Sequence, residues 1–596
     1  MSNPSRFTKI GKMRPSSAVS MHGPGAVVDM PTVSAIMLGL DHWFPTADDI
    51  VEEPRLEQHL GVENFYSPPK PAANKFGGLP AAIFPEFLVC SHARCRQLAK
   101  FSEFSSIRNQ GVEYVCDNTN SHSGFKGRPP AFTSRFMVAC PRGHIDDFPW
   151  VTYVHKSKGN GCSGPLSLID TGNSGTVSDL VVKCSSCGAK RAMSDAFKKS
   201  EIGNCSGRMP WIAQNAHSTC DQEARTLLRG ASNAYFSVVA SAITIPPWSD
   251  PIQGHLAKYR AILMNVDSTE KLVNLYEMNL LPDLANRYTV EEVWMALSSK
   301  PAVEGLRPAE WRALTKPDGY ASSQDGAEFE SNPEVVPGRY SDQVEQVVAV
   351  TRLREVRALR GFTRIDVIAE VGDDDVSAVD VRMARLSSDK GFPWLPAVDL
   401  RGEGIFVKLK EEGPKGMRQW EKRPPVLEES TRLESLWKEW RANKELPEKP
   451  FVGMRLLLVH SLAHAMIRHL ALDSGYSSAA IRERIYVANG DQPMAGFLLY
   501  TASNDSDGSL GGLVDQARTK RFDEVLTGAL REAQLCAQDP LCGSKETDTS
   551  ANLNGSACHA CLLIAENSCE FGNRLLDRNL LVSTVGTSGL EYFDTI

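Results

Sequence analysis

The sequence predicts a multi-domain α+β protein: a cysteine-rich N-terminal module, a helical middle and a mixed α/β C-terminal domain with its own cysteine cluster. Three observations carry this. The chain has 596 residues, too many for one core, and ordinary domain sizes divide it into roughly three to five folding units. Its 14 cysteines fall into two groups, nine from Cys90 to Cys220 and five from Cys536 to Cys569. Apolar spacing also changes along the chain, from helical after Gln222 to β-branched alternation after Val347, and back to helical after Glu434.

Taken in order, residues 1–83 form an N-terminal arm with a turn at Gly23-Pro24-Gly25 and a Pro/Lys/Gly-rich connector from Ser67 to Pro80. The cysteine-rich module spans 84–225. Residues 226–340 are expected to be mainly helical, the spacing from Ala224 to Ala240 and at Val290, Val293, Trp294 and Leu297 being helix-like. Within them 315–340 is polar and turn-rich, as in a long surface loop. Residues 341–596 make the C-terminal mixed α/β domain, with strand-like alternation over Val347–Arg364 and Gly404–Lys410 and helical spacing over Glu434–Trp440 and Gly453–Leu472. Its metal site closes near residue 570.

Composition excludes several classes. With 42% hydrophobic and 23% charged residues the chain can bury ordinary cores. The most apolar stretch, Met454 to Leu472, contains Arg455, His460, His464, Arg468 and His469, which fits a buried helix and not a membrane span. The first twenty residues show no secretory pattern. These features predict a soluble cytoplasmic protein with no membrane contact. In that reducing setting cysteines serve metals more often than disulfides. A net charge of -7 gives no overall attraction to nucleic acid, so any DNA contact must be local.

The cysteine spacing points to structural Zn2+. A Cys-x2-Cys knuckle presents two thiolates to one tetrahedral ion from a single turn. Cys558 and Cys561 form such a knuckle, with Cys569 after it and Cys542 before it across a polar loop that has no core of its own. Cys536 is expected to pack beside this set as a small hydrophobe, or to replace Cys542. Cys184 and Cys187 form a second knuckle, with Cys205 and Cys220 as its partners. A third set uses Cys90, Cys95 and Cys116, completed by His122, Cys140 or His144; Cys162 has no assigned partner. All three sets are rich in thiolate and look closed, so the metal is expected to hold the fold and not to catalyse.

His460 and His464 stand four apart on one predicted helix face, but Ser461 occupies the place where a His-Glu-x-x-His metalloprotease carries its base. They are core histidines, or a polar cluster with Ser503, Asp505 and Asp507 that could bind phosphate. Gly508, Gly511 and Gly512 fit a phosphate nest or a plain tight turn, and His144, Asp146 and Asp147 a structural turn. Two basic runs are candidate DNA contacts: Arg352, Arg354, Arg357, Arg360 and Arg364, and then Lys415, Arg418, Lys422 and Arg423 around Trp420. A solvated face or internal ion pairs would explain the same runs.

Several stretches together resemble the DrmB family, accessory subunits of the DISARM anti-phage defence system. They are Gly23-Pro24-Gly25 with Val27-Val28-Asp29; Arg135-Phe136 through Cys140 and His144 to Trp150; Cys205 through Trp211; Leu353 through Arg357 with Gly361 through Arg364; His460 through His464; and Tyr500 through Leu513. The last cysteine cluster resembles the four-cysteine site at the C-terminus of MrfA-type repair helicases. The resemblance implies Cys-x2-Cys where this chain has Cys90-x4-Cys95. It also implies an accessory protein that is not an enzyme, has no catalytic residues of its own, and works with a superfamily-2 helicase (DrmA), with DNA through that complex and with a methyltransferase subunit. Consistently, the sequence has no Gly-x4-Gly-Lys-Ser/Thr phosphate loop. Two other readings compete: a metal-dependent nuclease or phosphodiesterase around His460, His464 and Asp505, and a protein-only adaptor without DNA contact.

Overall fold

The computed structural model describes residues 10–70, 78–107, 112–156, 161–172, 176–263, 265–298, 305–320, 327–365, 383–389, 391–444, 446–473, 477, 479–503, 512–543, 553–585 and 589–593. The architecture is mixed α and β with several sheets. Asp505, Gly508 and Gly511 lie outside the described residues.

The organising element is an antiparallel sheet whose strands are numbered here within it: β1 (Phe236–Ile243), β2 (Glu330–Glu334), β3 (Val344–Thr363), β4 (Trp394–Leu409), β5 (Ile481–Ala488) and β6 (Met494–Ser503). Its order is β1-β3-β4-β6-β5, with β2 on the flank of β3. Strand β3 is 20 residues long, and its alternation sorts side chains onto two faces. Val347 and Ala349, with Ile405 and Val407 of β4, enter the core made by helices α1 (Pro424–Asn443), α2 (Met454–Asp473) and α3 (Thr519–Gln534). Val348 and Val350, with Phe406, enter a second core on the other face with Ile243, Leu314 and Tyr486. Farther along, Leu359 and Phe362 of β3 and Val398 and Leu400 of β4 join Val19, Ile36, Trp43 and Trp211 in a third core. One pair of strands therefore runs through the packing of both cysteine-bearing ends.

Covered on both faces, the sheet is buried, and charged side chains inside it must be paired. Glu310, fully buried, takes two bonds from the Arg484 guanidinium (2.6 and 2.8 Å), one from the Tyr486 hydroxyl (3.0 Å) and one from the Ile243 amide (3.0 Å). At the start of α2, Arg455 is gripped by Glu411 (2.9 Å) and Glu421 (2.9 Å). No described helix is long and apolar enough to cross a membrane; α2 is instead the central helix of the C-terminal core.

The N-terminal module is an eight-stranded antiparallel sheet in which Lys190–Ala192, Leu180–Cys184, Leu166–Asp170, Gln97–Lys100, Phe87–Cys90, Pro130–Thr133, Glu113–Val115 and Ser105–Ile107 follow one another. The arm is not a loose extension. Val27–Asp29, Ser34–Met37 and Ala81–Ile83 form a three-stranded sheet, while Asn64–Tyr66 pairs in parallel with the start of β4. Gly25 sits at φ 84° against the Phe362 ring, where a Cβ would overlap the ring, so the Gly-Pro-Gly turn seats the arm on β3.

Two local readings need correction. Ala224 to Ala240 is not helical: Arg225–Leu228 pairs with Phe136–Ala139, and Phe236–Ile243 is β1, so sheet pairing overrides a spacing that fits a helix equally well over a short apolar run. The 315–340 segment contains β2, paired with Val347–Arg352. Helices do fill the middle, where Pro251–Lys258, Thr269–Glu277 and Val290–Ser298 share a small core around Leu272, Leu284 and Val293.

Candidate metal centres

Every one of the 14 cysteines falls in one of five clusters, and each cluster brings four ligand atoms within 4.8 Å of one another. The clusters are Cys90-Cys95-Cys116-His122, Cys140-His144-Cys205-Cys220, His155-Cys162-Cys184-Cys187, Cys536-Cys542-Cys558-Cys561 and His460-His464-Glu483-Cys569. Sulfur separations are 3.9 Å for Cys95–Cys116 and Cys140–Cys220, 3.6 Å for Cys162–Cys184, 3.4 Å for Cys536–Cys558 and 3.7 Å for Cys542–Cys561 and Cys558–Cys561. Two thiolates at Zn–S distances of about 2.3 Å in a tetrahedron stand about 3.8 Å apart. The spacing fits such an ion and is far too long for disulfides.

The grouping differs from the one that spacing predicts. The structure divides the Cys184-Cys187-Cys205-Cys220 set. Cys184 ends a strand of the eight-stranded sheet and its knuckle meets His155 and Cys162, whereas Cys205 and Cys220 flank the loop that packs over Phe136–Ala139 and meet Cys140 and His144. Of the three candidates left open for the first set, His122 joins it, its Nε2 3.5 Å from Cys90 Sγ. In the tail, Cys536 joins Cys542, Cys558 and Cys561, and Cys569 stands apart with the histidine pair of α2. Sequence reasoning missed His155, Cys162 and Glu483 as site residues, and it weighed Cys536 only as a substitute for Cys542, whereas both stand in the cluster. The Cys140-x3-His144 spacing was a usable signal, but His155 and Glu483 carry none in the sequence.

Two histidines are oriented as ligands. The second ring nitrogen of His144 hydrogen-bonds Ser218 Oγ (2.7 Å), and Nδ1 of His155 bonds the Val151 carbonyl (2.7 Å), so each turns its other nitrogen toward sulfur. Burial pushes the Cys90 thiol up to about 12 and the Cys542 thiol up to about 11. Neighbouring sulfurs reinforce the Cys90 shift, while at Cys542 the bond with Cys561 opposes it and Cys558 and Cys536 add to it, so a nearby cation is what would let these groups act as thiolates.

The C-terminal knuckle is locked to the core. Arg468 of α2 donates to the carbonyls of Leu563 (2.9 Å), Ala560 (3.0 Å) and His559 (3.2 Å), gathering the turn that carries Cys558 and Cys561. Ser461 Oγ accepts from the Asp577 amide (2.9 Å), and the Asp577 carboxylate accepts from the amides of Ser556 (3.2 Å) and Asn579 (2.9 Å). Burial raises the Asp577 pKa to about 6 from 3.8. A carboxyl raised on folding favours the native state at low pH, and that contribution fades as pH climbs from about 4 to about 6. The loss is of order 3 kcal/mol. Asp577→Asn is therefore expected to flatten the pH dependence of unfolding between pH 4 and 7, read by denaturant titration at several pH values.

The basic runs are mostly internal. Arg364 is fully buried and donates to the carbonyls of Gly143, Ala234 and Gly25; Arg357 is buried against Glu355 (2.8 Å). Arg354 is held by Glu328 (3.0 Å) and the Glu52 carbonyl (2.9 Å). Arg360 is half-buried and engaged. Only Arg352 of this run is exposed, and it donates to the Ala327 carbonyl (2.9 Å). These arginines lie on or just past a covered strand, where the alternation that suggests a positive face instead turns Arg354 and Arg357 into ion pairs and Arg352 and Arg364 onto backbone carbonyls. In the second run Arg418 and Lys422 are exposed, Arg418 pairing with Glu411 (3.0 Å) and Glu412 (3.1 Å). Arg423 donates to the Glu591 carbonyl (2.9 Å), Lys415 is half-buried, and Trp420 is buried, bonded to the Leu590 carbonyl, and offers no stacking face.

Of the predicted polar cluster, Asp505 and Asp507 lie outside the described residues. His460 and His464 are fully buried beside Glu483 and Cys569. Ser503 ends β6, paired with Arg401.

Fold and sites together define a class: a large α/β protein with Cys/His clusters of the zinc-binding type at both ends. Residues 14–236 match the model of a domain of unknown function (DUF8724), and residues 462–562 match the MrfA Zn-binding domain, which takes in Cys536, Cys542, Cys558 and Cys561. The chain belongs to the DISARM protein DrmB family. It is 32% identical over 593 residues to the DISARM protein DrmB of Bacillus paralicheniformis, covering 95% of this chain and 99% of that relative. Among solved structures it is similar to the DUF1998 helicase MrfA bound to DNA, at 10% identity over 35% of this chain and 22% of that one, with a TM-score of 0.18.

Proposed function

We propose that this chain is a non-catalytic, zinc-braced accessory subunit of a cytoplasmic DISARM anti-phage complex. It docks on a superfamily-2 helicase of the DrmA type and lends surface to that partner's DNA path. The observation that carries the reading is the match to a DISARM protein along nearly the entire chain. The Cys/His clusters support a bracing role for structural Zn2+, since each supplies four donors with no position left for a reacting water. The nuclease alternative loses support because His460 and His464 have no exposed surface on which to meet a phosphodiester.

The test is co-purification with a DrmA-type helicase and ATPase assay of each protein alone and together. Activity in the isolated chain, or no association, would sink the proposal. DNA contact, if made by the basic runs, falls to their exposed members. Arg352→Glu with Lys422→Glu is expected to weaken DNA binding by the complex and to lower its salt slope by about one unit per lost phosphate contact. Arg357→Glu would instead place a second carboxylate beside buried Glu355 and damage the fold. Unchanged gel shifts for the exposed pair would favour a protein-only adaptor.

A further inference from the structure

The fifth cluster is unlike the others in composition, and it lies in the middle of the C-terminal core. His460 and His464, one turn apart on α2, direct their rings to the same side, where Glu483 of β5 and Cys569 of the tail meet them. Both histidines and Glu483 are essentially without solvent exposure, at 0%, 0% and 2%. His460 Nε2 lies 3.0 Å from Glu483 Oε1 and 3.2 Å from Cys569 Sγ, and His464 Nε2 lies 3.4 Å from Glu483 Oε2.

Hydrogen bonding alone leaves this cluster unsatisfied. Nδ1 of His464 faces the Leu562 carbonyl at 2.9 Å, an acceptor, so its proton belongs on Nδ1. Nε2 then presents a lone pair to Glu483 Oε2, and neither atom has a hydrogen-bond partner. Glu483 Oε1 already accepts from the Glu570 amide at 3.1 Å. Cys569 Sγ accepts from two amides, Phe571 at 3.3 Å and Asn573 at 3.2 Å, the environment of a thiolate. With His460 protonated at Nδ1, as His464 is, lone pairs from four side chains converge on one buried point. Two neutral imidazoles, one carboxylate and one thiolate carry a charge that a single dication cancels, and buried charge is tolerated only when it is so compensated. Ligand distances of about 2.0–2.3 Å in a tetrahedron place neighbouring donors about 3.3–3.8 Å apart, near the observed separations. The Phe571 ring packs on His460 at 4.9 Å and closes the site.

We propose that His460, His464, Glu483 and Cys569 bind a further metal ion, a closed four-coordinate divalent cation of the zinc type. The site lies partly beyond the matched Zn-binding domain, since His460 precedes residue 462 and Cys569 follows residue 562. It pins α2, β5 and the tail at one point. Next to it, Glu570 bonds the Ile485 amide (2.9 Å) and pairs with Arg307 (2.5 Å), extending the tie to the helix Leu306–Leu314.

The decisive experiment is anomalous diffraction across the zinc edge on crystals of the full chain, alone or in its complex, purified without added metal. A peak bonded to these four residues is the expected result. Peaks at the Cys/His clusters with none here would overturn this proposal and leave the zinc-braced reading intact; a peak here alone would do the reverse, and none anywhere would overturn both. As a second measurement, Cys569→Ser with Glu483→Gln is expected to lower bound zinc by one equivalent per chain in elemental analysis. An unchanged metal content in that variant also overturns the site. Should the variant not fold, the wild-type diffraction still decides.

Discussion

Cys558→Ser is expected to unfold the C-terminal tail outright. Cys558 is 3.4 Å from Cys536 and 3.7 Å from Cys561, so one substitution removes a donor from the centre of the cluster. Structural zinc in small domains contributes about 10–16 kcal/mol to folding, which matches or exceeds the entire stability of a typical domain. Beside the metal, the tail is held by the Arg468 bonds to the knuckle and by apolar side chains laid on the main core. Leu562, Phe571, Leu576 and Leu580 pack on the main core, and among the described residues the connecting segments are turns and short 3-10 pieces without strand pairing. Limited proteolysis should cut between about residues 536 and 593 in the variant and not in the wild type, and EDTA-type chelation of the wild type should reproduce the pattern. A variant that keeps its protease resistance and its melting temperature would show that the thiolates do not brace the tail.

The second large effect is Glu310→Ala. It takes the carboxylate away from Arg484, which has no exposure and whose other bonds include those to Ser241 Oγ (2.8 Å) and the Ser241 carbonyl (3.0 Å). Removing one partner of a buried pair costs about 3–5 kcal/mol because the other charge remains without compensation. The Tyr486 hydroxyl and the Ile243 amide lose their acceptor at the same time. The expected outcome is a denaturant midpoint lowered accordingly, with Glu310→Gln intermediate because it keeps an acceptor. A change within experimental error would mean that the pair carries little net stability in this core.

How much of this was legible follows from what each signal depends on. The long strands were readable because β-branched alternation is local: Val347, Val348 and Val350 announce β3, and the apolar run after Met454 announces α2. The existence of metal-type clusters was readable because Cys184-x2-Cys187 and Cys558-x2-Cys561 place two donors in one turn. The pairing of knuckles with distant ligands was not, since it depends on which strands meet. Cys205 joins Cys140 only because Arg225–Leu228 pairs with Phe136–Ala139. The same holds for Glu483, whose role appears only when β5 is laid beside α2. The arginines of this run misled because a charged residue on a strand reads alike whether its face meets water or a buried acceptor; Arg357 meets the Glu355 carboxylate and Arg364 a set of backbone carbonyls.

The strand pair β3/β4 has a practical bearing on how the polypeptide can be dissected. Leu359 and Phe362 nestle among side chains from the first quarter of the chain, while Val347 and Val407 sit beneath the last helices. Scissors applied anywhere between the halves would leave each piece with a raw, greasy seam and a ladder missing its rungs. Such pieces should clump when expressed singly.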